Sequence, residues 1–93
     1  MANALMIYKT DNVVVATKEI KAHEQVSFKC NGEEKTITVN DTIPIYHKVA
    51  ISDIAEGEAV IKYGHPIGIA LKNIRVGDYV HCHNVESPSE KEV

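Results

Sequence analysis

Tyr79, His81 and His83 recur at every second position of YVHCHN, residues 79–84, so a strand there would send all three side chains to one face. Strand geometry then sets the two imidazoles about 6–7 Å apart, close enough to converge on one metal ion or one substrate group. Val80 and Cys82 would point the other way, toward the core. Three readings stay open at this point: a metal site still short of its third and fourth ligands, a polar or catalytic contact at a subunit interface, and plain exposed histidines. His47 and His65 could complete a metal site only if folding carried them there.

A second candidate is IKYGHPIG, residues 61–68, which places Lys62, Tyr63 and His65 around a turn at Gly64-His65-Pro66. A lysine cation beside a phenol donor could hold a substrate carboxylate. The plain alternative is a hairpin turn with Lys62 solvated and Tyr63 covering apolar surface. His47 and Lys48, which follow Tyr46, carry the same ambiguity at the polar start of the strand KVAI. Gly64, Gly68 and Gly77 lack the strand, glycine turn and helix that cradle a phosphate. No Ser/His/Asp order suggests an activated nucleophile, and Cys82 reads as a buried thiol rather than a reactive one.

The elements that must hold these residues are strands. The chain has 93 residues, enough for one small core but not for a second lobe enclosing an active site. It has no Trp and a single Phe, Phe28, so Val and Ile supply most of its apolar bulk. Runs at LMIY, NVVVAT, QVSFKC and KTITVN are separated by turn formers, among them Asp11-Asn12 and Asn31-Gly32. Asn-Gly between QVSFKC and KTITVN marks a tight hairpin, and Ile37 and Val39 alternate with polar neighbours as one buried face requires. No window of this first half shows a helical stripe, and the fold class expected is all-β.

An internal echo follows Pro44. DIAEGEAV (residues 53–60) and NIRVGDYV (residues 73–80) share the pattern Asx, Ile, two variable residues, Gly, acid, one variable residue, Val. In each, Asx opens a turn, Ile54 or Ile74 plugs the core, Gly57 or Gly77 reverses the chain, and Val60 or Val80 enters a strand. These are two similar corners rather than a solenoid repeat. Residues 86–93, ESPSEKEV, read as a frayed polar tail after a domain at residues 1–85.

A formal charge of −3, with Lys and Arg scattered singly, excludes a nucleic-acid binder of the basic-patch kind. No apolar run is long enough for a membrane span, and MANALMIYKT lacks the charged start and long apolar middle of a secretion signal, so the cytoplasm is the expected location. Cys30 and Cys82, far apart and outside any CxxC, are expected as free thiols there.

The ordered series HKVA, an Ile-x-x-Gly-Glu corner, VIKYG, IG, a second Ile-x-x-Gly corner and VHCHN resembles the N-terminal domain of the altronate and galactarate dehydratase family of sugar-acid hydro-lyases. VVVATKEIKAHEQV is a looser match to the family's opening strand and turn. The resemblance implies a small SAF-type, antifreeze-like β-clip domain with short turns or 3-10 segments. It also implies a large catalytic subunit as partner, carrying divalent iron or a similar ion and acting on a sugar acid. This chain alone is then expected to be inactive. Carried onto matching positions, His81 and His83 are the expected catalytic residues, with Lys62, Tyr63, Asn84, His47 and Lys48 binding substrate. A sulfolactate sulfo-lyase small subunit and a non-catalytic carbohydrate- or protein-binding module are the alternatives. Without a partner, exposed strand edges would favour self-association.

Overall fold

The computed structural model describes residues 2–86, and these are all-β, as expected. Nine short strands follow in order: β1 (Ala4–Leu5), β2 (Val13–Ala16), β3 (Gln25–Cys30), β4 (Glu33–Thr38), β5 (Lys48–Ala50), β6 (Ala59–Lys62), β7 (His65–Ala70), β8 (Tyr79–Val80) and β9 (Val85–Glu86). They form three antiparallel sheets, ordered β1-β2-β5-β8, β3-β4 and β6-β7-β9. Glu86, assigned to the tail by sequence, pairs through β9 with Ile69, and residues 87–93 lie outside the described residues.

The four-stranded sheet separates two hydrophobic cores. Val14 and Val49 belong to the first, with Ile20, Phe28 and Ile43, whereas their chain neighbours Val13 and Ala50 belong to the second, with Ile54, Val60 and Ile74. Side chains alternate across a strand, so a sheet buried on both faces needs apolar residues at successive positions. That is why β2 reads Val-Val-Val-Ala without a polar interruption. By contrast, β4 reads Glu-Glu-Lys-Thr-Ile-Thr, largely exposed, because the β3-β4 hairpin covers the core with one strand only. Its turn takes positive φ at Asn31 (53°) and Gly32 (82°), the type I′ geometry that Asn-Gly favours.

The echo seen in sequence is half of a larger pattern. Four corners share one geometry, at residues 20–26, 43–49, 54–60 and 74–80. Each opens on a buried isoleucine, takes positive φ at its fourth residue (His23 74°, Tyr46 68°, Gly57 88°, Gly77 91°) and ends on a buried valine. The corners interlock in pairs. Ile20 and Ile43 exchange backbone hydrogen bonds of 2.9 and 2.7 Å, and Ile54 and Ile74 do so at 2.8 Å each way. The left-handed residue of each corner then donates its N–H to the strand end preceding its partner: His23 to Val39, Tyr46 to Ala16, Gly57 to Ala70 and Gly77 to Ala50. The corners at residues 20–26 and 43–49 escaped sequence reading because His23 and Tyr46 stand where the other two have glycine.

A further bond closes three of the four. The fifth residue is acidic, and its carboxylate accepts from the N–H three positions back: Glu24 from Lys21, Glu58 from Ala55 and Asp78 from Arg75, each at 2.9 Å. The corner at residues 43–49 departs on both sides of this bond, since Pro44 has no N–H to offer and His47 replaces the acid.

The hairpin of β6 and β7 corrects one expectation. Its turn is Tyr63-Gly64, with φ of 57° and 74°, while His65 and Pro66 already belong to β7. Buried Asp11 holds this turn from the far end of the chain, accepting from Gly64 N–H at 2.8 Å, Tyr63 N–H at 3.1 Å and Tyr8 N–H at 3.2 Å.

Tyr46 is 72% exposed, so it gains little packing for holding a left-handed backbone. Non-glycine residues there cost about 1–2 kcal/mol, partly offset by the chain entropy that glycine loses on folding. Tyr46→Gly should therefore raise stability in urea melts by roughly 0.5–1 kcal/mol, and Gly57→Ala should lower it. A destabilised Tyr46→Gly protein would show that this corner is not strained.

Candidate functional site

The register of β5 against β8 builds the site. Lys48 faces Val80 and Val49 faces Tyr79, and one step further along the same antiparallel register His47 comes opposite His81. Their ring centroids lie 4.9 Å apart. The Tyr79 ring stacks on His81 at 5.6 Å with planes only 6° apart, and His83 approaches the same phenol at 5.5 Å. His47 Nδ1 and Tyr79 Oη form a 2.6 Å hydrogen bond. His47, Tyr79, His81 and His83 thus make one ring cluster at the edge of the four-stranded sheet.

The backbone beneath differs from the expected strand. β8 ends at Val80, and residues 81–84 turn the chain into β9. His81 and His83 therefore share a face through a turn, not through strand alternation, and Cys82 corrects the sequence reading by pointing outward, exposed, rather than into the core. Asn84 takes the interior instead, at 3% exposure. Its Oδ1 accepts from His81 N–H at 3.0 Å and its Nδ2 donates to the Tyr79 carbonyl at 2.8 Å, while its own N–H donates to the His81 carbonyl at 3.0 Å. The Asn84 amide is thereby committed to shaping the loop that carries the histidines. Cys30, like Cys82, is a free thiol.

Lys48 lies near the rings, and Lys62 lies near Lys48. Burial, with the nearby charge of Lys62 adding, holds the Lys48 ammonium below the usual lysine pKa. Lys62 ends β6, and its Nζ lies 4.7 Å from the centre of the Tyr63 ring, a cation–π contact that ties Tyr63 to this side of the domain. Crowding shifts His81 as well: desolvation first, then the positive charges of His47, Lys48 and His83, hold its imidazole below the usual histidine value. The Asp41 carboxylate accepts from Tyr79 N–H at 3.2 Å.

Of the sequence-expected residues, His47, His81 and His83 come together around Tyr79, and the charge of Lys48 reaches His81. Lys62 lies near Lys48 and carries Tyr63 against its ammonium, and Asn84 lies beneath the histidine loop. Tyr79, whose place on the face was legible but whose contact with His47 was not, joins the centre. Among the described residues, no three His, Cys, Asp or Glu side chains are arranged to hold a metal ion. Surface depressions at Asp53, Ile54, Asn73 and Arg75 and at Asn3, Lys18 and Gln25 include none of the ring cluster. Within the cluster His81 and His83 are exposed, while His47 and Tyr79 are half-buried.

Comparison with known proteins agrees with this architecture. The family described as the altronate/galactarate dehydratase SAF domain matches residues 2–88. The chain belongs to this family. Within the SAF family, it is 40% identical to the altronate dehydratase of Escherichia coli over 83 residues, covering 89% of this chain but 16% of that protein. The altronate dehydratase of Bacillus subtilis is 34% identical over 87 residues, covering 94% of this chain and 17% of its own length. Against the (2R)-sulfolactate sulfo-lyase subunit alpha of Chromohalobacter salexigens, identity is 36% over 91 residues, covering 94% of this chain and 97% of that one. The SAF chain therefore spans a small part of the dehydratases and nearly all of the sulfo-lyase alpha subunit. No helix among its described residues is long and apolar enough to cross a membrane.

With its folded-state pKa lowered, His81 should stay neutral to more acid pH than an ordinary histidine, whose pKa is about 6.5. The unfolded chain then binds this proton first, so the linked stability is present above the ordinary value and is lost as pH falls through the lowered one. Titration of the His81 ring by NMR should show the depressed midpoint, and Lys48→Met should move it upward. Asn84→Ala leaves buried loop groups unpaired and should cost about 1–3 kcal/mol in urea melts. A midpoint at or above that of a free histidine would contradict the crowding.

Proposed function

We propose that this SAF domain serves a sugar-acid lyase, as a small subunit or N-terminal domain whose ring-and-lysine face closes over the active site of a large catalytic partner. The observation that carries this reading is the meeting of the His47, Tyr79, His81 and His83 rings, with the charge of Lys48 near His81. Lysine and imidazole groups there can hold a substrate carboxylate or carry a proton. Tyr63 and Lys62 extend the same binding edge, and Asn84 positions the histidine loop. The partner would carry the divalent ion, iron or a similar metal, expected of the family.

The reaction proposed is elimination beside a carboxylate. A base removes the proton on the carbon bearing carboxylate and hydroxyl, the hydroxyl on the next carbon leaves as water, and the enol relaxes to a 2-keto-3-deoxy acid. His81, kept neutral by its surroundings, suits the role of proton acceptor better than a protonated imidazole would. We further propose His83 as its companion in proton handling.

A second reading has its own support. The alignment covers almost the whole of a sulfolactate sulfo-lyase alpha subunit, which favours a separate small subunit and an elimination in which sulfite leaves instead of water. The first proton removed is the same in both cases.

The test is to co-express the chain with a large dehydratase-like chain encoded beside it, purify the pair, and assay altronate, galactarate and sulfolactate. Turnover should require both chains, and His81→Ala or His83→Ala should lower it by more than about tenfold. Undiminished kinetics in both variants would remove the histidines from the mechanism. Tight binding of a sugar acid by this chain alone, with no lyase activity in any pairing, would point instead to a binding module.

A further inference from the structure

The four corners supply an internal control for what their residues do structurally. Where three of them keep an acid that accepts from the backbone N–H three positions back, the corner at residues 43–49 has Pro44 without an N–H and His47 without a carboxylate. The His47 side chain is thus released from corner closure. Its ring turns to Tyr79, whose phenol it meets at 2.6 Å, and Tyr79 in turn stacks on His81. This is the one histidine–tyrosine hydrogen bond among the described residues, and it forms between two members of the proposed ligand face.

Which atom donates decides what His47 can do. A phenol keeps its proton at neutral pH, and its oxygen, conjugated with the ring, donates better than it accepts. A neutral imidazole carries one proton, and the nitrogen without it is the acceptor. We propose that Tyr79 is a positioning residue whose O–H donates to His47 Nδ1, fixing His47 as the Nε2–H tautomer and making it a hydrogen-bond donor to an anionic ligand group rather than a base. The inference rests on the lyase reading for the identity of that ligand, a carboxylate or sulfonate, but not for the tautomer. It also divides labour among the imidazoles: His47 holds the anion, and proton removal falls to His81, whose ring accepts no phenol hydrogen bond among the described residues. No proton needs to leave the Tyr79–His47 pair during turnover.

The test has two arms. In the isolated chain, long-range nitrogen–proton NMR of the histidine rings should show His47 Nδ1 as an unprotonated acceptor. Tyr79→Phe should shift that nitrogen toward an unbonded value while the chain keeps a cooperative melt. In the reconstituted lyase, Tyr79→Phe should raise KM about tenfold with a smaller change in kcat, as loss of ground-state binding predicts. His47→Gln, whose amide nitrogen stands near the Nε2 position, should keep more substrate affinity than His47→Asn, whose amide reaches only the Nδ1 position. A protonated Nδ1, or an unchanged KM for Tyr79→Phe in an active lyase, overturns the inference. An acceptor Nδ1 in a chain that forms no active lyase with any partner upholds the dyad and overturns the lyase reading alone.

Discussion

Interlocking of the corners is the constraint on which the rest of this domain depends. Each isoleucine of a pair bonds the other's backbone, and each left-handed residue sends its N–H to the strand that leads into the partner corner. Neither corner of a pair can satisfy its buried backbone groups without the other, and unpaired groups of this kind are costly. The isoleucines and valines at fixed places in each corner then fall into the two cores on either side of the central sheet. With so few residues to bury, the fold draws its order from this repeated hydrogen-bonding scheme as much as from apolar area.

Corner geometry reaches the ligand face through one register. The corner at residues 43–49 delivers His47 and Lys48 into β5, and the corner at residues 74–80 delivers Tyr79 into β8. Pairing of β5 with β8 then sets His47 beside His81, and buried Asn84 fixes the loop that carries His81 and His83. Specialisation is concentrated in the corner that no longer keeps the acid bond. Pro44 and His47 are its departures from the common plan, and His47 is itself a member of the ring cluster. Strain in a backbone next to a polar cluster on open surface is a familiar association in proteins, where packing elsewhere supports what function requires.

An open face of imidazoles and lysines suits a domain that completes a site rather than encloses one. The match spans about a sixth of the two altronate dehydratases and nearly the whole of the sulfo-lyase alpha subunit. The proposed elimination chemistry needs from this side little more than anion-holding donors and a neutral imidazole.

By itself the sequence determined the all-β class, the Asn31-Gly32 hairpin, the two glycine corners and the histidines and tyrosine of the ring cluster. These are local matters: strand period, turn chemistry and glycine's left-handed freedom act over a few residues and leave their mark in the order of letters. Two further corners were hidden, because His23 and Tyr46 adopt a glycine-like backbone only under the pull of partner strands distant in sequence. The same holds for Asp11, whose carboxylate grips a turn more than fifty residues away, and for the exchange of places between Cys82 and Asn84. Strand alternation would have buried the thiol, but β8 stops at Val80, and the turn after it places the Asn84 amide in its interior, where it satisfies two backbone groups. The tertiary structure alone decided that His47 meets Tyr79 and His81, since that contact follows from a cross-strand register between segments that no local pattern ties together.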